Sequence, residues 1–474
     1  MAGSPIAARP AGSLRRVVGF WGAASLSIGV MAPTLAMSIT GSAAAGQVGA
    51  AAPLAFALAA VGVLVVSAGF VRLSGRFSHA GSVYAFVGRT LGPRAGFVTG
   101  WALLGTYLVF PWVSVSGIAV FATAFLQTTG WAPGVDWYPL ALGGWAVVGL
   151  LAAQGIRPTA RWLLTLEAAA VVVILGLMAV IMYRIGAGTT PRGQAWSADV
   201  LRLPDGVGAG ALVLAATVGF LAFAGFESAG SLGEETRGPC RSIPRAMVSA
   251  IVAGGIFYVA CMLTQTLGFG VDRVGVTEFA GAAAPLDRLA ASYVGAPMAA
   301  LLDLVAVVSA VGAGLGCVVV AVRMVFALGR DGMLPPALGR VAQRTATPSI
   351  ALVAELTLGL VLISLFRLAG SAPLEMFFTL ATFGVLNLLV MYVVTNLAAL
   401  RVAGGVADAV LPVLGALVAG YVLVRNIWPL PQPPLRSLPF LVLGWLVLGG
   451  TLLLARSSRA ARLADALAHE RALG

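Results

Sequence analysis

Long apolar runs separated by short polar segments make up most of this chain. A run of about 20 apolar residues rises about 30 Å as an α-helix, which is enough to cross the hydrocarbon core of a bilayer. The pattern therefore predicts an all-α membrane protein with twelve transmembrane helices. The third run is too long for one crossing, and we expect its residues 84–94 to lie at the membrane surface. The predicted spans are 17–40, 46–70, 84–127, 137–156, 160–186, 207–232, 246–270, 299–328, 349–367, 373–398, 408–426 and 438–456.

Two of these runs contain a weak point. In the first, residues 25–33 interrupt the apolar pattern, and in the sixth, Gly225 lies between two phenylalanines and is followed by Glu227. Glycine loosens a helix, and a charge inside hydrocarbon is costly unless it faces a partner, a cavity or water. Interrupted spans in corresponding positions of two halves point to the binding site of a transporter. We therefore predict helix breaks near Gly29 and Gly225; the alternative is an ordinary membrane-helix glycine, with Glu227 reaching the interface.

Composition and charge support a polytopic membrane protein. The chain is 59% hydrophobic and only 10% charged, which excludes a water-soluble surface. All 29 Lys-or-Arg positions are arginine, and 21 of them lie in segments on the side of the predicted N-terminus, against 8 on the other side. Positive residues concentrate on the cytoplasmic side, so both termini are predicted to be cytoplasmic. The Ala-, Gly- and Arg-rich composition, without lysine, is typical of a GC-rich bacterial genome. We expect a multi-pass protein of the bacterial cytoplasmic membrane.

The charges and cysteines also limit the partners. The arginines lie in short loops and not in a patch with interleaved aromatic residues, so the net charge of +12 does not indicate nucleic-acid binding. No pair of the 3 cysteines has the spacing of a metal site, and none implies a disulfide. The expected partners are a small-molecule substrate and the lipid bilayer, with no metal and no evident obligatory protein partner.

Four motifs occur in order along the first eight predicted spans. They are SIGVMAP at 27–33; AGSVYAF at 80–86, followed by LGP at 91–93 and GFVTGW at 96–101; FAGFE at 223–227, followed by EETRGP at 234–239 and IPRA at 243–246; and RMVFALGRDGMLP at 323–335. Together they resemble the amino acid–polyamine–organocation (APC) superfamily of secondary transporters, of the bacterial amino acid permease type.

The resemblance implies a LeuT-like fold, with a five-plus-five inverted repeat in which helices 1 and 6 are discontinuous. The first repeat (TM1–5) would occupy 17–186 and the second (TM6–10) 207–398, with a peripheral pair (TM11–12) at 408–456. Residues 1–16 and 457–474 would be cytoplasmic tails. The two weak points agree with this division, since each lies in the first helix of its half. The longer loop at 272–296 is expected to form a short helical cap.

Breaking a helix in the membrane frees backbone groups that hydrocarbon cannot satisfy, so a ligand, water or protein must bind them. We expect the N–H groups around Gly29 to bind a substrate carboxylate and the carbonyls around Ala224 to bind its ammonium group. By resemblance, Thr106 and Tyr107 face the same site, although Tyr107 is equally explained as a packing aromatic. The predicted substrate-binding residues are Ser27, Ile28, Gly29, Val30, Thr106, Tyr107, Leu221, Phe223, Ala224 and Gly225.

The side chain at position 221 gives an indication of the charge of the substrate. By resemblance, Leu221 occupies the place where exchangers of cationic amino acids carry a gating aromatic residue. Its aliphatic side chain, and the absence of a nearby carboxylate other than Glu227, favour a neutral substrate.

Three further residues are candidates for coupling or gating. Resemblance implies that Glu227 links gating to occupancy or protonation, while a capping acid that never titrates is the alternative. Glu167 lies near a position where some proton-coupled relatives carry a lysine that mimics a sodium ion, but this chain has no lysine. Glu167 either carries the proton itself or pairs with an arginine such as Arg161. Ser309 contributes to a sodium-like site against span 1, or only packs between helices.

The remaining charged residues are predicted to be peripheral. Asp303 and Glu355 are expected at the membrane interfaces. Ion pairs of an inner gate are expected between Asp331 and Arg330 and between the acids at 234–235 and Arg237. No role is predicted for His79.

These observations predict a secondary active transporter that moves a neutral amino acid by alternating access, either coupled to protons or by exchange. The alternatives are a transporter of a polyamine or another organic amine, and a transporter-like amino acid sensor. An enzyme is not expected, because the 2 histidines lie outside the predicted spans. Direct use of ATP is not expected either, because the sequence has no nucleotide-binding loop. No cofactor is expected apart from the coupling ion, a proton or sodium.

Overall fold

The computed structural model describes residues 16–456 except 78, 80–81, 133, 155, 342–347 and 433–434, and omits the side chains of 156–164 and 166. The predicted tails, apart from Arg16, and the side chain of Arg161 therefore lie outside the described part. Within that part the protein is helical, and its β-structure is one isolated bridge between Val18 and Thr236.

The helices follow the apolar runs. Short 3₁₀ segments occur at Gly49–Ala51, Ala198–Leu201, Phe226–Leu232, Pro336–Gly339 and Leu435–Ser437. The α-helices of the described residues are α1 (Phe20–Met31), α2 (Pro33–Val48), α3 (Ala52–Ser74), α4 (Val83–Leu91), α5 (Pro93–Thr129), α6 (Trp137–Ala152), α7 (Ile156–Gly186), α8 (Ala209–Phe223), α9 (Pro239–Phe269), α10 (Arg273–Ala280), α11 (Pro285–Tyr293), α12 (Ala296–Arg330), α13 (Ser349–Leu368), α14 (Pro373–Leu400), α15 (Val406–Ile427) and α16 (Leu438–Ala455).

Their length and hydropathy make this a multi-pass membrane protein. Among the described residues, 10 stretches are long and apolar enough to cross a bilayer. One of them, Phe20–Ser74, is 55 residues long and contains α1, α2 and α3, and Trp137–Ala152 is a shorter apolar helix. The count of twelve crossings therefore stays a prediction. The third predicted span divides as expected, because Gly92, at a φ of 100°, separates the short α4 from α5.

The bundle is organised around α5 and α12, which pack along each other. In an apolar stretch of 18 residues taken from each helix, 78% of the stretch is buried inside the protein for α12, against 22% for α15 and for α16. An apolar surface that the protein does not cover suits contact with lipid tails. The central helices therefore position a site, and the last two helices lie at the edge of the bundle.

A pair of tryptophans attaches α16 to α5. The indole N–H of Trp101 donates to the carbonyl of Trp445 at 2.8 Å, and the N–H of Trp445 donates to the carbonyl of Trp101 at 2.9 Å. The rings stack with centroids 4.4 Å apart. Each ring lies over a glycine of the other helix, Trp101 on Gly449 and Trp445 on Gly105, where any Cβ would clash. This reciprocal contact, the tryptophan clasp, holds the two helices in close approach.

The 272–296 loop contains two short helices, α10 and α11, as the sequence predicts in part. The α10 helix packs against α2. A salt bridge of 2.9 Å between Arg192 and Glu278 connects it to the loop that follows α7. The 272–296 loop and the loop after α7 thus meet on the side of the bundle where α2 ends.

Candidate functional site

The first helix break lies at Ala32, between α1 and α2. Ala32 adopts φ 43° and ψ 64°, in the left-handed region that residues other than glycine rarely occupy. Pro33 explains the position: its ring disfavours the helical conformation of the preceding residue, and it has no N–H to donate to the carbonyl of Gly29. The predicted break near Gly29 is therefore displaced toward the proline, because the prediction weighed the glycine and not the proline.

Two side chains from other helices cap the start of α2. The backbone N–H of Thr34 donates to Glu167 Oε1 at 2.9 Å, and that of Leu35 donates to Ser309 Oγ at 3.3 Å. The Ser309 hydroxyl donates in turn to Glu167 Oε2 at 2.6 Å. Glu167, on α7, and Ser309, on α12, are both buried. They supply the acceptors that the first amides of a helix otherwise lack.

The backbone groups left over at this break are carbonyls. In a continuous helix the carbonyls of Gly29, Val30 and Met31 would accept from the N–H groups four residues on. The first of those positions is a proline, and the other two N–H groups donate to Glu167 and Ser309 instead. The N–H groups at 28–30, expected to bind a carboxylate, lie instead inside α1. The first break therefore offers acceptors, which suit an ammonium group.

The second break lies at Ala224 and Gly225, as predicted. The α8 helix ends at Phe223, Gly225 has a φ of 111°, and the chain continues as the 3₁₀ segment Phe226–Leu232. A Cβ on Gly225 would lie 2.3 Å from Val30 Cγ1, so the two breaks are in direct contact. The Ser27 hydroxyl adds a second link, because it donates to the carbonyl of Phe226 at 2.6 Å.

Glu227 is the centre of a buried hydrogen-bond cluster at the second break. Tyr107 on α5 donates to its Oε1 at 2.7 Å, and Tyr392 on α14 donates to its Oε2 at 3.0 Å. The N–H of Gly225 lies 3.3 Å from Oε2. The side chain is buried, so the alternative that Glu227 reaches the interface is wrong. Three donors satisfy this carboxylate without a cation among the described residues, and they join the break to both neighbouring helices.

A central cavity lies between the two breaks. Its volume is about 460 Å³ including its open part. Helices α1, α2, α5, α8, α12 and α14 supply its walls, and none of its described lining residues is charged. It is lined by Val30, Met31, Ala32, Leu35, Ala36, Thr40, Phe110, Val113, Ser114, Leu221, Ala222, Ala224, Ala313, Cys317 and Phe377.

The predicted substrate-binding residues divide between the cavity and its supports. Val30, Leu221 and Ala224 line the central cavity. Ser27, Gly29, Phe223 and Gly225 lie at the breaks beside it, whereas Ile28 lines a separate cavity that also contains Glu167. Thr106 is not a lining residue and donates to the carbonyl of Gly384 on α14 at 2.8 Å. Tyr107 contacts Glu227 instead of the cavity. Binding of substrate by this set stays a prediction.

Sequence reasoning missed several residues of the site. Phe110 and Ser114 lie three and seven residues after Tyr107 and share its face of α5, so helical periodicity could have identified them. Phe377, Cys317 and Tyr392 come from helices far along the chain and carried no local motif.

Ion pairs gather on the side of the bundle where α1 begins. Arg323 binds Glu235 at 2.6 Å, and Arg330 binds Glu234 at 3.3 Å and Asp331 at 3.5 Å. The predicted pair of Arg330 and Asp331 is confirmed. Arg237, the other predicted partner, contributes its backbone instead, donating to the carbonyl of Val18 at 2.8 Å.

The same cluster includes His79, for which no role was predicted. Its Nε2 lies 3.0 Å from Arg330 Nη2. A guanidinium carries only donors, so Nε2 accepts in this contact. Burial lowers the pKa of His79, which favours the neutral ring.

Two acids expected at the interfaces are buried instead. Asp303 is 0% exposed and Glu355 is 3% exposed, and no described residue pairs with their carboxyl oxygens. The rotation of each helix about its axis turns both side chains into the protein. An apolar helix carries little information about that rotation.

Broken helices that meet at a cavity in a bundle of apolar helices are typical of membrane transport proteins. The family model for amino acid permeases matches residues 22–423. The chain belongs to the amino acid permease family, within the APC superfamily, whose members are transporters and not enzymes.

Individual relatives extend this result. The chain is 26% identical over 400 residues to the branched-chain amino acid permease BcaP of Bacillus subtilis, covering 80% of this chain and 81% of the relative. It is 25% identical over 347 residues to the low-affinity putrescine importer PlaP of Escherichia coli, covering 72% of each. An uncharacterized transporter of Mycobacterium tuberculosis is 31% identical over 355 residues, covering 73% of this chain and 71% of the relative.

Proposed function

We propose that this protein is a secondary active transporter that carries a neutral amino acid with an apolar side chain across the bacterial cytoplasmic membrane by alternating access. The observation that supports this substrate class is the central cavity, whose described lining is uncharged and apolar apart from Thr40, Ser114 and Cys317. A cationic side chain would be desolvated there without a counter-charge, which is costly. The similarity to a permease named for branched-chain amino acids agrees with this choice.

The backbone at the breaks supplies the polar part of the site. The free carbonyls of Gly29, Val30 and Met31 bind the ammonium group of the substrate, because an acceptor without a partner in the membrane interior is satisfied by a donor from the ligand. Val30 and Met31 also line the cavity, which brings two of these three residues to its wall.

The finer architecture is also part of the proposal. Twelve crossings form a five-plus-five inverted repeat, with 17–186 and 207–398 as the repeats and 408–456 at the periphery. The support is that each half has its break in its first helix, at Ala32 and at Gly225. The excess of arginine in loops on the side of α1 supports cytoplasmic termini.

Glu167 is the proposed coupling group. Its carboxylate holds both the first amide of α2 and the hydroxyl of Ser309. Protonation removes the charge from these bonds and weakens them, so that the first break loosens when the proton arrives. Protonation of Glu227 weakens the hydrogen bonds at the second break in the same way. There are two alternatives to proton coupling. One is exchange without a proton, and the other is coupling to a sodium ion bound between Glu167 and Ser309.

A polyamine is the second candidate substrate, and the similarity to a putrescine importer is its support. An amine at each end of the substrate requires an acidic partner at each end. The described lining of the central cavity contains no acid, and the oxygens of Glu227 are already bonded. The cavity therefore favours the amino acid.

Uptake into proteoliposomes tests these proposals. Leucine, isoleucine, valine, arginine and putrescine are offered with an imposed pH gradient, a sodium gradient or neither. We expect the branched apolar amino acids to accumulate with the pH gradient, and uptake only from preloaded vesicles would indicate exchange. Preferred uptake of putrescine or arginine would contradict the proposed substrate class.

A substitution in the cavity wall sharpens this test. Val113→Asp adds a carboxylate to the lining, and Val113→Asn adds a similar shape without the charge. We expect both to reduce leucine uptake and only the aspartate to favour amines. Equal behaviour of the two variants would show that the wall does not select by charge.

A further inference from the structure

A second large cavity lies next to the central one. Its volume is about 1310 Å³ including its open part, and it lies between α2, α8, α14 and the end of α15. Leu221 lines both cavities, so this one side chain forms part of the partition between them. We call it the Arg425 cavity, after the one charged residue among its described lining residues.

Arg425 has no partner in the described part of the chain. No ion pair or hydrogen bond to its guanidinium is found there, and its Nε is buried without an acceptor. The residue as a whole is half-buried, and a buried guanidinium N–H without an acceptor is costly. A guanidinium presents a planar fork of donors that matches a carboxylate. The side chain is therefore suited to an anionic group of a ligand.

Gln47 offers the complementary group. It lines the same cavity from α2, and its Oε1 is buried without a donor. An amide oxygen accepts a hydrogen bond from an ammonium group. The cavity thus combines an unpaired donor fork with an unpaired acceptor, which is the pattern that recognises a zwitterion.

Most of the other lining residues are apolar, and Thr217, Thr382, Asn426 and Gln432 are the polar ones. Leu214, Val218, Leu221, Phe378 and Leu386 face the cavity, so a ligand with an apolar side chain is covered there. A free inorganic anion would leave this surface without a partner. The walls, the cation and the acceptor together fit the same class of amino acid as the central cavity.

We propose that the Arg425 cavity is a second binding site for the transported amino acid, occupied before the substrate passes Leu221 into the central cavity. Arg425 binds the carboxylate and Gln47 the ammonium group. This inference rests on the proposed function. The phosphate of an anionic lipid shares the chemistry of the carboxylate, and the experiment separates these two sources.

The test measures uptake of labelled leucine, isoleucine and valine into vesicles of phosphatidylcholine alone, with Arg425→Gln compared with wild type. Loss of one charge-assisted hydrogen bond raises the half-saturating concentration about tenfold or more, while the maximal rate is unchanged. Arg425→Lys keeps the charge but loses the fork, so we expect an intermediate shift, and it carries the test if the glutamine variant does not fold. Arg436→Gln is the matched control, because Arg436 is exposed in the following connector and outside the cavity lining.

A second measurement identifies the group that Arg425 binds. Leucinamide keeps the ammonium group and the apolar side chain but has no carboxylate. In wild type, leucinamide should inhibit uptake of labelled leucine less well than unlabelled leucine does. This difference in inhibition shrinks in Arg425→Gln if the arginine binds the carboxylate. An unchanged difference would overturn the assignment.

Three other results of these uptake measurements would each contradict the second site. A wild-type half-saturating concentration in Arg425→Gln would overturn the second site and leave the proposed function intact. A defect that arises only when phosphatidylglycerol is added would assign Arg425 to a lipid headgroup and overturn the inference. Absence of amino acid uptake by the wild type would overturn the proposed function, and the second site with it.

Discussion

The two helix breaks of this permease use the same residue type in different ways. At the first break, the acid is Glu167, which lies on α7 and reaches the amide of Thr34 across 133 positions of sequence. At the second break, the acid is Glu227, two residues beyond Gly225 in the same segment. One break is stabilised by a carboxylate from a distant helix, and the other carries its own.

The difference extends to the local backbone. After the first break the chain resumes as a regular α-helix whose first amides are capped, whereas after the second it continues as a 3₁₀ segment. A capped start is the more stable arrangement, because orphan amides are satisfied. The second break depends instead on hydroxyls from Tyr107 and Tyr392. We infer that the first break depends on the packing of α7 and α12, and the second on its own glycine together with the hydroxyls from α5 and α14.

The largest expected effect comes from that glycine. Gly225→Ala places a Cβ 2.3 Å from Val30 Cγ1 at a φ of 111°. Backbone strain and overpacking together should destabilise the protein by about 3 kcal/mol and abolish uptake. Adding Val30→Ala should recover the steric part only. Melting temperature in detergent and leucine uptake are the measurements.

The control for this change is Gly176→Ala on α7, where an added Cβ meets no atom within 4 Å. It should leave both uptake and melting temperature near the wild-type values. If Gly225→Ala behaves like this control, the second break does not depend on its glycine.

The next effect tests the distant acid. Glu167→Ala leaves the Thr34 N–H and the Ser309 hydroxyl without their acceptor, at about 1–3 kcal/mol for each buried group. If the same free energy is lost from a conformation that the transport cycle requires, uptake should fall by about two orders of magnitude. Glu167→Gln keeps one acceptor oxygen and should retain binding and exchange while losing accumulation driven by a pH gradient.

This pair of variants separates a structural acid from a coupling acid. Loss of exchange in both would assign Glu167 to structure alone, and normal proton-driven accumulation in the glutamine variant would remove it from coupling. Wild-type stability of the alanine variant would contradict the dependence of the first break on α7.

A smaller effect is expected from the tyrosines at the second break. Tyr107→Phe and Tyr392→Phe each remove one donor to Glu227 while keeping the ring, a loss of about 1 kcal/mol. Because both bond the same carboxylate, the double variant should deviate from the sum of the single ones. Tyr138→Phe, whose hydroxyl bonds Ser364 between α6 and α13, is the control and should leave uptake unchanged. Strict additivity would argue against a shared cluster.

The smallest effect concerns the ion-pair cluster that follows the second break. Burial, opposed by Asp331 and Glu234 and assisted by Arg330 and Arg89, lowers the pKa of His79 below its ordinary value of 6.5. A histidine that is buried neutral contributes its full stability above the ordinary pKa and loses it as pH falls toward the lowered one.

The measurement is the melting temperature of wild type and His79→Asn between about pH 7.5 and 5.5, a range that spans the ordinary pKa of histidine. The wild type should lose more stability on acidification than the variant. Parallel curves would exclude His79 as the titrating group.

Local signals in the sequence were sufficient to predict the helices and the position of the second break. Apolar runs predict spans because lipid requires length and hydrophobicity, and Gly225 beside Glu227 is visible within a few residues. Pro33 was equally visible and would have placed the first break correctly. The motifs at 27–33 and 223–227 predicted the family that the comparison confirms.

The partners across the bundle were not predictable in this way. A helix that is apolar all round does not show which face turns inward, so the pairing of Glu167 with Ser309 and of Tyr392 with Glu227 has no sequence signature. The same reason accounts for Asp303 and Glu355, which were placed at the interfaces and are buried.

The tryptophan clasp between α5 and α16 has a consequence for the evolution of this chain. Each indole occupies the space above a glycine of the opposite helix, so neither member of a pair can change size alone. Trp101 is tied to Gly449 and Trp445 to Gly105. Homologues that lose one tryptophan should tolerate a larger residue at the glycine facing it, and the two pairs should be gained and lost as units in the family.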